Sequence, residues 1–156
     1  MRFLVDTNLL IYAVNADCVE HRPARAALER WLSGTVPWSV TWGVVYEFLR
    51  VVTHPRVFRQ PLDAQQALSF LEPILAASTV TILTPTERHQ AVLRETVQEF
   101  GKPAGNIFHD LHTATLMREH GVTEIMTADV DFRKFTFLTV TDPVHGPAQE
   151  RTARKR

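Results

Sequence analysis

Two rhythms of apolar residues run along this chain. Short apolar runs occur at residues 2–5 (RFLV), 79–83 (TVTIL), 123–127 (TEIMT) and 135–140 (FTFLTV), with a further extended piece at 35–40 (TVPWSV). Between them, apolar positions recur every three or four residues. The first rhythm predicts short buried strands, and the second predicts helices packed on one face. Cap and stop signals set the helix limits. Thr7 or Asn8 can cap residues 7–14, and the next helix starts near Pro23 and stops before Gly34. Thr41 caps a helix that ends before Pro55. Asp63 with Gln66 forms a capping box, after which Pro73 is expected to kink or restart the helix. Thr84, Pro85 and Glu87 read as the start of a helix closed by Gly101, and a last helix runs from about Phe108 to His120 before Gly121. Strands alternating with helices predict an α/β fold with a mostly parallel sheet covered on both faces.

At 156 residues and 45% hydrophobic, the chain is expected to form one domain with a proper core. No apolar run reaches the ~18 residues of a membrane span, and the opening MRFLVDTN, with an acid at its sixth position, does not fit a signal peptide. The single cysteine, Cys18, excludes an internal disulfide framework and fits a reducing cytoplasm. The 17 lysines and arginines balance 17 acids, a neutrality that argues against a polyanion partner. The distribution weakens that argument, because the last six residues, RTARKR, hold four basic groups and no acid. The chain has no Walker loop, no GxGxxG and no GxSxG, so nucleotide-cofactor and serine-hydrolase chemistries have no support.

Four acids stand apart because of where they fall. Asp6 closes the first strand, Asp129 lies just past the strand at 123–127, and Glu47 and Asp110 sit on helices. In an open α/β sheet, functional groups collect outside the carboxyl ends of the strands. Glu47 shares a helix face with Gly43, Arg50 and His54, opposite an apolar side. Crowded carboxylates need either raised pKa values or a cation. Mg2+ or Mn2+ suits oxygen ligands and keeps waters free for chemistry. Such an ion acidifies a coordinated water and stabilises charge on a phosphate under attack. Asp6, Asp110 and Asp129 are the candidate ligands. Glu47 is the candidate to help hold a second ion, or to orient or deprotonate the attacking water. Thr7, Asn8 and Thr127 are the candidates to orient the carboxylates. Each acid also has a plain structural reading: Asp6 and Asp110 as helix caps, Glu47 as a solvated surface acid, and Asp129 with Asp131 as an Asx-type turn.

The segments FLVDTNLLIY, VVYEFLRVV, HDLHTATLMREHG and EIMTADVDFRKF, in that order, resemble the PIN-domain ribonucleases. Within them the chain is most similar to the VapC toxins of bacterial toxin–antitoxin systems. The likeness covers about residues 1–143, a PIN-like catalytic domain, leaving 144–156 as a basic, disordered tail. It implies a three-layer α/β/α fold and Mg2+- or Mn2+-dependent hydrolysis of RNA; attack by a metal-activated water on phosphorus is expected to leave 5′-phosphate and 3′-hydroxyl ends. The family's acidic set falls on Asp6, Glu47, Asp110 and Asp129, with Asp131 able to share or take the role of Asp129. The resemblance also implies a structured RNA substrate such as a tRNA or rRNA loop, a VapB-type antitoxin and a homodimer.

On that reading Arg50, His54, Arg56 and Arg59, and Arg133 with Lys134, are candidates to hold RNA phosphates. Trp31, Trp38, Trp42, Tyr46 and Phe48 are expected mainly in the core, with an apolar groove for a partner as the alternative. His109 and His112 flank Asp110, but none of the seven histidines pairs with cysteine in a zinc pattern. Two other classes compete with the ribonuclease reading. A non-catalytic RNA-binding or regulatory PIN-like module is disfavoured by the complete acid set. A small-ester phosphohydrolase is disfavoured because Asp6 is followed by Thr7 and Asn8 rather than the DxDxT of one large class.

Overall fold

Strands β1 (Phe3–Val5), β2 (Trp38–Thr41), β3 (Val80–Leu83), β4 (Glu124–Met126) and β5 (Thr139–Thr141) form one sheet in a computed structural model that describes residues 2–146. Their order is β3-β2-β1-β4-β5, and every pairing is parallel. Six helices connect them: α1 (Thr7–Val14), α2 (His21–Ser33), α3 (Trp42–Val52), α4 (Ala64–Leu75), α5 (His89–Phe100) and α6 (Ile107–Glu119). Successive strand residues point to opposite faces, so Phe3 and Val5 enter one core and Leu4 the other. The first core takes Leu10, Leu28, Phe48 and Leu71 from α1–α4. The second takes Leu111 and Met117 from α6, with Val97 and Phe100 of α5 packed against it. The result is the expected three-layer α/β/α arrangement, with a sheet that is wholly parallel.

Phe3, Trp31 and Trp38 interlock in the first core with ring centroids 5.4 to 6.3 Å apart, and Phe48 stacks on Phe70 at 5.3 Å. Trp42 and Tyr46 depart from the core expectation, being 47% and 70% exposed. One turn apart on α3, they face away from Val44, Phe48 and Val52, which fill the core side.

The local caps largely hold. Thr41 Oγ1 accepts from Val44 N–H, and the Asp63–Gln66 box is complete. Others shift. Asp6, rather than Thr7 or Asn8, caps α1. Helix α2 begins at His21, two residues before Pro23. Pro73 lies in the last turn of α4, so it neither breaks nor restarts the helix. The fifth helix begins at His89 and not near Thr84, because Glu119 draws the preceding segment into a loop. Its carboxylate accepts from Thr86 N–H (2.5 Å), from the Thr86 hydroxyl and from His89 Nδ1 (2.7 Å). The last strand is short because Phe135 closes a 3-10 helix (Val130–Lys134) and Leu138 N–H returns to the Phe135 carbonyl. Residues 142–146 turn back, with Val144 against the first core and Asp142 accepting from Val144 N–H. Positions 147–156 of the expected tail lie outside the described residues.

Candidate metal centre

The chain moves from β1 to β2 and β3 on one side and places β4 and β5 on the other, so the strand order reverses between β1 and β4 while all strands stay parallel. Ligand sites of open α/β sheets form outside the strand ends at such a point. Asp6 and Asp129 follow these two strands. Asp6 N–H donates to the Met126 carbonyl at 3.0 Å, continuing the ladder into the site. Asp6 Oδ1 accepts from Thr7 N–H (2.8 Å), and Oδ2 accepts from Asn8 Nδ2 (2.9 Å) and the Thr127 hydroxyl (2.7 Å). Thr127 Oγ1 in turn accepts from Asn8 Nδ2 (2.9 Å) and Asp129 N–H (3.0 Å), while Asn8 Oδ1 accepts from Ala128 N–H. Thr7, Asn8 and Thr127 thus hold Asp6 in one orientation and tie the two loops together.

Asp129 caps the 3-10 helix, its Oδ1 accepting from Asp131 N–H at 2.8 Å. This Asx turn brings Asp131 alongside Asp129, and Asp110 comes in from the first turn of α6. Asp110, Asp129 and Asp131 each offer an oxygen within 4.8 Å of the others. Asp131 therefore stands beside Asp129 in one group. All three, with Asp6, line an open cleft of about 880 Å³. Glu47 lines the same cleft from α3 but stands outside the three-acid group.

Electrostatics separates these acids. Burial, and secondarily the charge of Asp129, pushes the Asp6 carboxyl up to about 6 against the pull of its hydrogen bonds. Burial, followed by Asp6, Asp129 and Asp131, pushes Asp110 up to about 7. Glu47 moves the other way: Arg50 grips it through Nε–Oε2 at 3.0 Å and Nη2–Oε1 at 2.6 Å and holds it ionised. Adjacent carboxylates that resist ionisation together are the condition a cation relieves. The donor set fits a hard divalent ion. Oxygens bound to octahedral Mg2+ at ~2.1 Å lie ~3.0 Å apart when adjacent and ~4.2 Å when opposite, so the three carboxylates, within 4.8 Å of one another, would draw together around an ion.

Among the candidate RNA contacts, Arg50 and Lys134 line the cleft, with Lys134 Nζ 3.0 Å from Asp131 Oδ1. Arg56 and Arg59 are exposed on the turn after α3, and Arg133 is exposed on the 3-10 helix; none of the three lines the cleft. His54 Nδ1 accepts from Arg56 N–H and is likewise absent from its walls. The cleft also takes Asn106, Ile107, His109 and His112, which the sequence singled out only in part. Their signal was their place beside Asp110, at the start of one helix or just before it. His112 Nδ1 stands 3.4 Å from where a Cβ on Gly43 would sit, so the bare Gly43 surface faces this imidazole.

The PIN domain pattern matches residues 3–138. Ribonuclease VapC48 of Mycobacterium tuberculosis is 33% identical over 141 residues, covering 90% of this chain and 97% of that protein. A VapC ribonuclease of Mycobacterium bovis is 35% identical over 142 residues, 91% and 95% of the two chains. Among solved structures, VapBC2 from Rickettsia felis bound to a promoter DNA fragment aligns with a TM-score of 0.62 at 19% identity, covering 90% of this chain and 98% of that one. The sarcin-ricin loop cleaving toxin VapC20 of Mycobacterium tuberculosis aligns with a TM-score of 0.58 at 20% identity, covering 84% and 92%. The two structural alignments establish the fold; the sequence relationships go further, and on them the chain belongs to the PIN-domain family, among the VapC ribonucleases.

Proposed function

We propose that this protein is a metal-dependent endoribonuclease toxin that hydrolyses a phosphodiester bond of a structured RNA and is inhibited by a cognate VapB-type antitoxin. The observation that carries the reading is the meeting of Asp6, Asp110, Asp129 and Asp131 at the switch point of the sheet. The names of its relatives support RNA as substrate, and structural neighbours solved as VapBC complexes support the antitoxin. A tRNA or rRNA loop as target, a homodimeric state and a cytoplasmic site of action belong to the same proposal.

Asp110, Asp129 and Asp131 would hold Mg2+ or Mn2+, with Asp6 facing them. The ion supplies positive charge to the phosphate under attack and acidity to a water. The chain's own groups do the rest. Asp6, clamped by Thr127, Asn8 and Thr7 N–H, keeps its carboxylate aimed without reorganisation. Glu47, ionised by Arg50, is an acceptor across the cleft that can orient or deprotonate the attacking water. Arg50 and Lys134 supply the cationic contacts for RNA phosphates.

Asp6→Asn keeps the side-chain shape and removes the charge, while turning one of two accepting oxygens into a donor. Its expected outcome is a folded protein with weakened Mn2+ binding and no cleavage, with products mapped for 5′-phosphate ends. Undiminished cleavage by purified, folded Asp6→Asn overturns the assignment. RNA binding by wild type without Mn2+-stimulated cleavage favours instead a non-catalytic RNA-binding module.

A further inference from the structure

Both Lys and Arg side chains that line the cleft are already bonded to carboxylates: Arg50 to Glu47, and Lys134 to Asp131. The second pair is unusual because Asp131 also belongs to the three-acid group with Asp110 and Asp129. Asp131 and Lys134 stand three residues apart in the 3-10 helix Val130–Lys134, where side chains at that spacing eclipse. The backbone therefore sets the ammonium, 3.0 Å away, directly on an oxygen-bearing group of the metal cluster.

We propose that Lys134 is a placeholder cation that holds Asp131 until a divalent ion binds, is displaced by that ion, and then takes a phosphate oxygen of the RNA at the cleft mouth. This deepens the metal-dependent reading above, on which it rests, by giving it a binding order. The exchange is physically easy. The pair is 58% and 50% exposed, so its mutual attraction is screened and weak. Lys134 carries a single charge on a flexible four-carbon stem, whereas a divalent ion engages all three carboxylates together. Once Asp131 shares its charge with the ion, it holds Lys134 less strongly. RNA is then the remaining anion within reach. By linkage, an RNA that captures Lys134 must tighten metal binding by the same factor that metal tightens RNA.

The test compares Lys134→Gln with Arg133→Gln, which removes an equal charge one residue away. Mn2+ affinity is read by titration calorimetry. RNA affinity is read by anisotropy of a fluorescent phosphorothioate RNA hairpin, with and without Mn2+. Lys134→Gln is expected to bind Mn2+ about two- to fivefold more tightly than either Arg133→Gln or wild type. The gain in RNA affinity on adding Mn2+ is expected to shrink by a similar factor in Lys134→Gln alone. Equal Mn2+ affinities in the two variants overturn the placeholder role. A Lys134→Gln protein that gains as much RNA affinity from Mn2+ as wild type overturns the release step. Wild type that takes up no Mn2+ overturns the underlying metal reading instead, so the two failures are distinct.

Discussion

Asp110→Asn in the metal-free protein isolates the electrostatic strain of the acid cluster. Burial, then Asp6, Asp129 and Asp131, push the Asp110 carboxyl from 3.8 to about 7, with Lys134 giving partial relief. The folded value lies above the unfolded one, so the folded chain binds this proton more tightly. The destabilisation is therefore absent below pH ~4, grows as pH rises, and is complete above about 7. The move from 3.8 to about 7 corresponds to roughly 4 kcal/mol. Asp110 is only partly buried, so solvent screening brings this to about 1–2 kcal/mol. At ~2–4 °C per kcal/mol for a chain of this size, Asp110→Asn in EDTA at pH 8 is expected to melt about 2–8 °C above wild type. At pH 4 the two should coincide. Excess Mn2+ reverses the order. An ion at a hundredfold over its Kd adds about 2.7 kcal/mol to a protein that binds it only when folded, and the asparagine variant would lack one of the proposed ligands. Thermal unfolding followed by circular dichroism across pH, with EDTA or Mn2+, reads all of this. The reasoning is refuted if the variant gains nothing at pH 8 in EDTA, or if Mn2+ stabilises both proteins equally.

Arg50→Ala is expected to lower RNA affinity and to reduce the slope of log affinity against log salt by about 0.7–0.9, the signature of one lost phosphate contact; an unchanged slope removes Arg50 from the RNA interface. Thr127→Val keeps the side-chain shape but deletes the hydroxyl that donates to Asp6 and accepts from Asn8 and Asp129 N–H. It should destabilise by about 1–3 kcal/mol in urea titrations, and a change near zero means solvent serves Asp6 equally well. Glu119 is raised by burial but drawn down more by Thr86 and His89, to about 2. Its contribution is present above the usual glutamate value near 4.5 and is lost as pH falls through about 2. Glu119→Gln should therefore destabilise at pH 7 and lose most of that difference by pH 2–3, and a penalty constant with pH rules out the ionised hydrogen bonds as its source.

What could be read from the sequence divides along the reach of each signal. Cap pairs a few residues apart, such as Thr41 with Val44 N–H and Asp63 with Gln66, were legible because both partners lie in one segment. The Thr84–Glu87 box was equally plausible locally and failed, because its competitor Glu119 sits 33 residues beyond Thr86 and meets it only in three dimensions. Asp6 and Asp129 were legible as a pair once two strands were assigned, since parallel neighbours deliver their ends to one edge. Whether Asp131 shares or takes the role of Asp129 stayed open in the sequence, because spacing alone does not show that Asp129 caps a helical turn and brings Asp131 back beside it. Arg50, Arg56 and Arg59 looked alike as basic residues near one helix, yet only Arg50 lies inside the turns of α3 that line the cleft.

The charge balance of the cleft explains why a formally neutral chain can act on a polyanion. Asp6, Glu47, Asp110, Asp129 and Asp131 outnumber Arg50 and Lys134 along its walls, so without a metal ion the cleft repels phosphate. Both of those cations are bonded to carboxylates, which weakens their attraction for RNA further. A divalent ion changes the sum at the point where the scissile phosphate must sit. It would neutralise the carboxylates around it and, on the exchange proposed above, draw Asp131 from Lys134. On the proposed metal reading, RNA affinity at this cleft is expected to depend on metal, with phosphate disfavoured until an ion binds. A basic face elsewhere on the molecule would bind RNA with or without the ion, so a metal-independent, salt-sensitive affinity would relocate the RNA contact away from these acids.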